Sequence, residues 1–458
     1  MPFNSLSFIL FFSGFFLLYW GLFQKHLTIQ NLFILAGSYL FYAWWDWRFL
    51  FLLILNSALT WFLGIQMQKT EKERERNVLL WIGLLQGLGS LFFFKLRGFL
   101  PLGISFYTFR TTSYLLDIKR NKTEAVTNWL TYFCYVAFFP CITAGPIDRA
   151  GTLVPQLSAP RIFRYDQASD GMRQILWGVF KKAVIADNCA SFTSGIFDGY
   201  QHQAGSTLVL GALLYAVQIY ADFSGYSDIA IGLSSMLGFN VTRNFNYPFF
   251  ARNIVDYWRR WHMSLTSWLT DYVFLPLSIA FRDYGKAGLT GAIIINFVLI
   301  GFWHGASWTY VAYGFLNGCC FIPAIIRGTM NKRYKGTGTP GFSFRALSER
   351  ICTFLLVAFL LVLFRADSLT QALGYWRGMF SASLFSKPVL TDKLYLLVPL
   401  FFIFPMFLTE WRQRDKRHAL QLEHIPRFAL RAAIYLGLIT VILVFSATKN
   451  EDFIYFKF

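Results

Sequence analysis

Charge is scarce in this chain. Only 14% of its 458 residues are Asp, Glu, Lys or Arg, against 55% hydrophobic and 20% aromatic residues. That balance excludes a soluble domain of this length, and the chain needs lipid as its solvent. Acidic residues are the rarer sign, 24 against 42 basic ones, for a formal net charge of +18. The basic excess never forms one long arm. It sits in short clusters between apolar runs, which argues against a nucleic-acid partner and fits loops held at a cytoplasmic membrane face. Cysteine is sparse as well: Cys134, Cys141, Cys189, Cys319, Cys320 and Cys352 show no C-x-x-C spacing, so neither a disulfide frame nor a zinc site is expected, and no metal is assigned. Before the first apolar stretch, Met1 to Ser5 lack a basic n-region and a cleavage site, so the first helix is expected to be retained rather than removed as a signal peptide. A repeat of fixed period and an appended soluble domain are also missing, and residues 1–458 read as one domain.

What the chain has instead is a succession of apolar runs, the clearest within 6–23, 32–45, 49–65, 78–94, 129–144, 208–219, 292–305, 351–363, 394–408 and 428–445. Crossing a ~30 Å hydrocarbon core takes about 20 helical residues, and on that rule the chain reads as an all-α polytopic membrane protein with roughly 11 to 14 embedded helices. Three stretches, 100–116, 171–186 and 264–281, mix polar residues with Gly or Pro and read as half-membrane or interfacial helices buried in protein. Lys69 to Arg76 and Arg412 to Arg417 read as cytoplasmic loops. Lys332 to Arg350, with Gly336, Gly338, Pro340 and Gly341, reads as a loop-like break.

Polar residues inside apolar runs are costly unless paired or wetted, so each needs a reason. In the run 253–265, Tyr257, Trp261 and Leu265 fall on one face of a helix, while Asp256, Arg259 and Arg260 stand near another. An interfacial helix anchored by its Trp residues and arginines explains the same pattern. In 296–308, His304 is flanked by Trp303 and Gly305, with Asn296 and Ser307 nearby. A lone His on an apolar face is more often a satisfied core residue, but imidazole is also the side chain suited to general-base work near neutral pH. In 218–228, Asp222 and Asp228 are six apart and do not share a helical face, which argues against a paired-carboxylate site. A broken helix lining a polar cavity fits that run better, and Gly145-Pro146 should end a helix and free backbone groups.

Taken in order, these strings resemble the membrane-bound O-acyltransferase family, in its bacterial branch of alginate O-acetylation and teichoic acid D-alanylation proteins. The resemblance begins with Phe3-Asn4-Ser5 and the string Ser38 to Asp46, and runs through Pro101 to Phe109, Ala144-Gly145-Pro146-Ile147, Gly178 to Asn188 and Asp222 to Asp228. It continues through Asn244 to Pro248, Trp258 to Leu265 and Gly301 to Trp308, and ends at Leu363 to Asp367. It departs in two places: the segment between Lys95 and Pro101 is shorter than in typical relatives, and Phe281-Arg282-Asp283-Tyr284 stands where alginate-type members usually carry a Gly-Gly-Asn-Arg run. The resemblance implies a helical bundle around a central funnel or tunnel, in a bacterial inner membrane. It implies transfer of an acyl group, acetyl in the first reading, from a cytoplasmic thioester to a hydroxyl at the extracytoplasmic face, for modification of cell-surface or exported polysaccharide. His304 matches the family's defining histidine, with His262 as a second. Trp303, Ser307, Asp222, Ser224 and Asn296 are the expected substrate-binding residues. No bound cofactor is expected; the donor is acetyl-CoA or an acyl carrier protein thioester, and an extracytoplasmic acyltransferase partner protein is expected. The alternatives are D-alanyl-type transfer from a carrier protein, a transporter or flippase, and a non-catalytic scaffold.

Overall fold

The computed structural model of the chain describes residues 1–98, 100–332, 343–388, 393–423, 425–447 and 453–454. Among the described residues all regular structure is helical. Seven helical spans among them are long and apolar enough to cross a membrane: Arg48–Lys69, Glu73–Leu96, Gly205–Met236, Arg282–His304, Trp308–Ile326, Phe344–Arg365 and Phe428–Phe445. Other apolar runs form shorter or interrupted helices. Leu6–Gly21 starts at Ser5, whose side chain accepts the Phe8 N–H, and Lys393–Arg412 carries Pro399 and Pro405 inside it. The 129–144 run is two helices, Trp129–Ala137 and Phe139–Ile142. The three stretches read as half-membrane pieces are helical: Ile104–Lys119, Tyr165–Val179 with the π-helical Phe180–Ala186, and Met263–Leu269 followed by Thr270–Phe274 and Leu275–Ala280. The loop expected over 332–350 lies outside the described residues from 333 to 342, and Phe344–Arg365 is already helical, capped by the Ser343 side chain on Ala346 N–H.

The chain divides into two compact units, Met1–Ile175 with Tyr226–Arg243, and Leu176–Gly225 with Asn244–Phe458. In the first, the expected break at Gly145-Pro146 is real: Phe139–Ile142 ends before it, and carbonyls at the end of Trp129–Ala137 and at Pro146 share one donor. Arg110, fully buried, donates to the carbonyls of Tyr135, Val136 and Pro146 at 3.2–3.3 Å. A guanidinium with five N–H donors suits such a site, because one side chain satisfies several carbonyls that a helix would otherwise pair. Asp148 closes the same turn by accepting the Thr242 N–H at 2.9 Å and its hydroxyl at 2.5 Å.

In the second unit the dominant packing is an antiparallel pair, Gly285–His304 against Trp308–Cys319. In lipid, helices associate by close van der Waals packing rather than by hydrophobic burial, so small residues at the contact matter. A Cβ on Gly301 would land on the Tyr310 carbonyl oxygen, and one on Gly314 on the Phe297 carbonyl oxygen. The two backbones therefore approach where only glycine fits.

Candidate active site

His304 ends its helix. Gly305 turns to extended backbone (φ −173°, ψ 155°), and Ser307 begins the next helix by accepting the Thr309 N–H. This short connection, with the glycine contacts above it, folds Tyr310 back against the histidine. The His304 ring, 5% exposed, lies 4.6 Å from the Trp303 ring, 4.9 Å edge-on from Phe364 and 6.4 Å from Tyr310, centroid to centroid.

His262 is placed differently. The expected single helix over 253–265 is in fact two, Ile254–Trp258 and Met263–Leu269. Between them His262 takes a left-handed conformation, φ 43° and ψ 53°, which costs a non-glycine residue about 1–2 kcal/mol. Two backbone bonds hold the turn: Asn246 N–H to the Arg260 carbonyl at 2.9 Å, and Met263 N–H to the Asn244 carbonyl at 2.8 Å. The predicted Tyr257–Trp261 pairing survives the break, with the rings stacked at 5.6 Å. Arg260 pairs with Asp256 at 2.9 Å, while Arg259 donates to the carbonyls of Met330 and Lys332. The His262 ring, 1% exposed, meets Phe223 edge-on at 4.6 Å and Trp303 at 6.0 Å. It lies outside the seven apolar spans, and burial pushes its imidazole down to about 3, so it is neutral at physiological pH. Trp303 thus touches both histidine rings.

The broken helix expected around Asp222 is also corrected: Gly205–Met236 runs unbroken through it. Its polar groups need no break, because side chains meet them. Lys182, from the π-helical segment, bridges Asp187 and Asp222 at 2.8 Å each; the i to i+5 turn of a π-helix brings residue 187 back over residue 182. Gly225 lets this segment come close, since a Cβ there would stand 2.8 Å from the Gly178 carbonyl oxygen. Neighbouring Lys181 donates to Ser224 Oγ at 2.8 Å and lies 3.9 Å from Glu410, whose other oxygen accepts the Tyr220 hydroxyl at 2.8 Å. Asp222 also accepts the Ile454 N–H at 2.8 Å.

A cavity of about 290 Å³ opens beside this network, lined among others by Lys182, Asp187, Asp222, Tyr310, Phe364 and Arg365. Two of its walls, Tyr310 and Phe364, are the aromatic neighbours of His304. Of the residues expected at the site, Asp222 lines this cavity and His304 packs on its Tyr310 and Phe364 walls, whereas His262 stands apart from the lining, against Phe223 and Trp303. Ser307 serves as a helix cap, Ser224 accepts from Lys181, and Asn296 stands two helical turns before His304, about 12 Å along the axis, with its buried Oδ1 lacking a hydrogen-bond partner among the described residues. Lys182, Asp187, Tyr310 and Arg365 were not singled out from sequence as site residues. One signal was there for the lysine: Lys181 and Lys182 stand in an apolar stretch, and a buried ammonium requires a carboxylate.

The sequence model of the membrane-bound O-acyltransferases matches residues 40–339, a span that includes both histidines and Asp222. The chain belongs to the membrane-bound O-acyltransferase family. Its full length aligns with the full length of a probable alginate O-acetylase, AlgI, of Pseudomonas putida at 33% identity. A peptidoglycan O-acetyltransferase of Helicobacter pylori is 29% identical over 80% of this chain and 76% of its own. A teichoic acid D-alanyltransferase of Bacillus subtilis is 30% identical over 56% of this chain and 67% of its own. The protein is therefore a multi-pass membrane O-acyltransferase, as its family and its apolar helices require.

Proposed function

We propose that this membrane-bound O-acyltransferase moves an acetyl group from a cytoplasmic thioester to a hydroxyl acceptor at the extracytoplasmic face of a bacterial inner membrane, with His304 as general base. The observation that carries this reading is the burial of His304 against Tyr310 and Phe364, two residues that also line a cavity carrying Lys182, Asp187, Asp222 and Arg365. In the proposed step His304 removes the acceptor hydroxyl's proton as its oxygen attacks the thioester carbonyl. The carbon–sulfur bond then breaks, and the departing thiolate takes a proton. An imidazolium formed at residue 304 sits at the carbonyl end of its own helix, where positive charge is favoured. Holding the reacting atoms ~3–3.5 Å apart supplies much of the remaining acceleration. Acetyl is favoured over D-alanyl because the O-acetylase relative aligns end to end, whereas the D-alanyltransferase covers 56% of the chain.

In this reading Lys69 to Arg76 and the 412–417 stretch face the cytoplasm, where the donor binds. A separate extracytoplasmic protein receives the acetyl group or presents the polysaccharide. The deciding experiment uses the purified chain in detergent, offered acetyl-CoA or an acyl-carrier thioester. Thiol release that vanishes in His304→Ala supports the reading. Movement of substrate across vesicles without thioester cleavage would replace it with transport. Cysteines placed in the two basic segments, of which Glu73 to Arg76 begin a helix and Arg412 ends one, should resist an impermeant reagent added to intact cells, and external labelling would invert the proposed orientation.

A further inference from the structure

We infer that Asn244 is a positioning residue that sets the tautomer of His262, so that Nδ1 carries the proton and Nε2 presents a lone pair within the site. The inference rests on the reading above only in taking His262 as part of that site; the tautomer itself follows from the hydrogen bonds.

Asn244 is fully buried, and its Oδ1 receives three groups: the Ser264 main-chain N–H at 3.4 Å, the Ser264 hydroxyl at 2.9 Å, and His262 Nδ1 at 3.0 Å. A main-chain N–H can only donate. Turning the amide over would set Asn244 Nδ2 against that N–H, donor facing donor, so the orientation with Oδ1 toward Ser264 is the one the geometry allows. An amide oxygen can only accept, hence His262 Nδ1 must be the protonated nitrogen. In the neutral ring that leaves Nε2 as the accepting atom. The ring also meets the aromatic rings of Phe223 and Trp303, and the left-handed backbone at residue 262 is pinned by the Met263 N–H on the Asn244 carbonyl. One asparagine thus holds both the backbone turn and the ring. Strain at a non-glycine residue persists where the surroundings over-determine it, and Asn244 supplies that constraint. A histidine arranged this way accepts a hydrogen bond or a proton through Nε2, and cannot donate through it until it has taken one.

The test is ¹⁵N NMR of the full-length chain, with ring-labelled histidine and the His262 signals assigned by their loss in His262→Gln. Long-range couplings should show the wild-type proton on Nδ1. Asn244→Ala should move part of the population to Nε2–H and lower kcat roughly 10- to 100-fold, with KM little changed, because orientation of a site histidine is lost while the cavity stays. Asn244→Asp keeps an acceptor of the same reach, so it should restore the Nδ1–H form and most of the lost kcat. It also keeps the inference testable if the alanine variant fails to fold. A wild-type proton on Nε2 overturns the inference, and so does an Asn244→Ala protein with unaltered tautomer or unaltered kcat. Full activity in His262→Ala would instead remove His262 from the proposed site, an outcome read separately from the tautomer.

Discussion

The two histidines of this protein are held by opposite means. His304 ends a long regular helix, and its position is set by packing: glycines at 301 and 314 let two helices touch backbone to backbone, and the turn at 305–307 returns Tyr310 to the imidazole. His262 belongs to no helix. It occupies a strained turn between two short ones, and its position is set by hydrogen bonds from residues 244–246 and 264. Packing tolerates small shifts but not added volume, whereas a hydrogen-bonded clamp tolerates volume changes nearby but not the loss of one polar atom. The two sites should therefore fail in different ways.

The sharpest way to break the comparison is His304→Ala. It removes the proposed base without adding charge to the bilayer, and should lower acyl transfer ~10²–10⁴-fold with expression and membrane insertion retained. Near-wild-type turnover would take His304 out of the mechanism. Next in size is Lys182→Met, which leaves Asp187 and Asp222 facing each other without their shared cation. Breaking a buried pair from one side costs ~3–5 kcal/mol, so thermal unfolding in detergent should occur well below the wild-type temperature. Asp187→Asn, which leaves Lys182 paired with Asp222, should be milder; equal loss in both variants would show that the bridge is not shared.

Gly301→Val tests the packed side of the comparison. Its side chain must displace the Tyr310 carbonyl, and overpacking of this kind costs typically ~1–3 kcal/mol. Melting temperature and activity should fall together, because His304 moves with its helix; an unchanged melting temperature would mean that the hairpin is looser than described. The smallest effect is expected at Ser307. Because Ser307 caps Trp308–Cys319, Ser307→Ala should lower stability by ~0.5–2 kcal/mol and Ser307→Asp should restore it. A rise in KM for the acceptor without a stability change would instead show substrate contact.

Local chemistry made much of this legible before any tertiary contact was known. Apolar runs of membrane-crossing length announced an all-helical membrane protein, because unpaired backbone groups are not tolerated in lipid. Gly145-Pro146 announced a helix end. The order of the polar strings pointed to the family, with His304 at its centre. The errors had local causes as well. The run 257–265 has an unbroken helical period, and what breaks it is the remote segment 244–246, which pairs with the backbone on either side of His262. The run around Asp222 suggested a break because its polar groups had no partner within the run; Lys182, some forty residues earlier, supplies one, and the helix continues.

What the sequence by itself determined was solvent, fold class and family, since these depend on composition, on the length of the apolar runs and on the order of the polar strings. Which groups meet was decided by the tertiary structure alone: Tyr310 and Phe364 beside His304, Lys182 between two carboxylates, Asn244 against the His262 ring. Those pairings join residues from 5 to 60 positions apart, and apart from Lys182 with Asp187, one π-helical turn apart, nothing in the spacing of either partner selects the other. They exist because a buried polar group in a low-dielectric interior must find its partner wherever the packing of helices brings one.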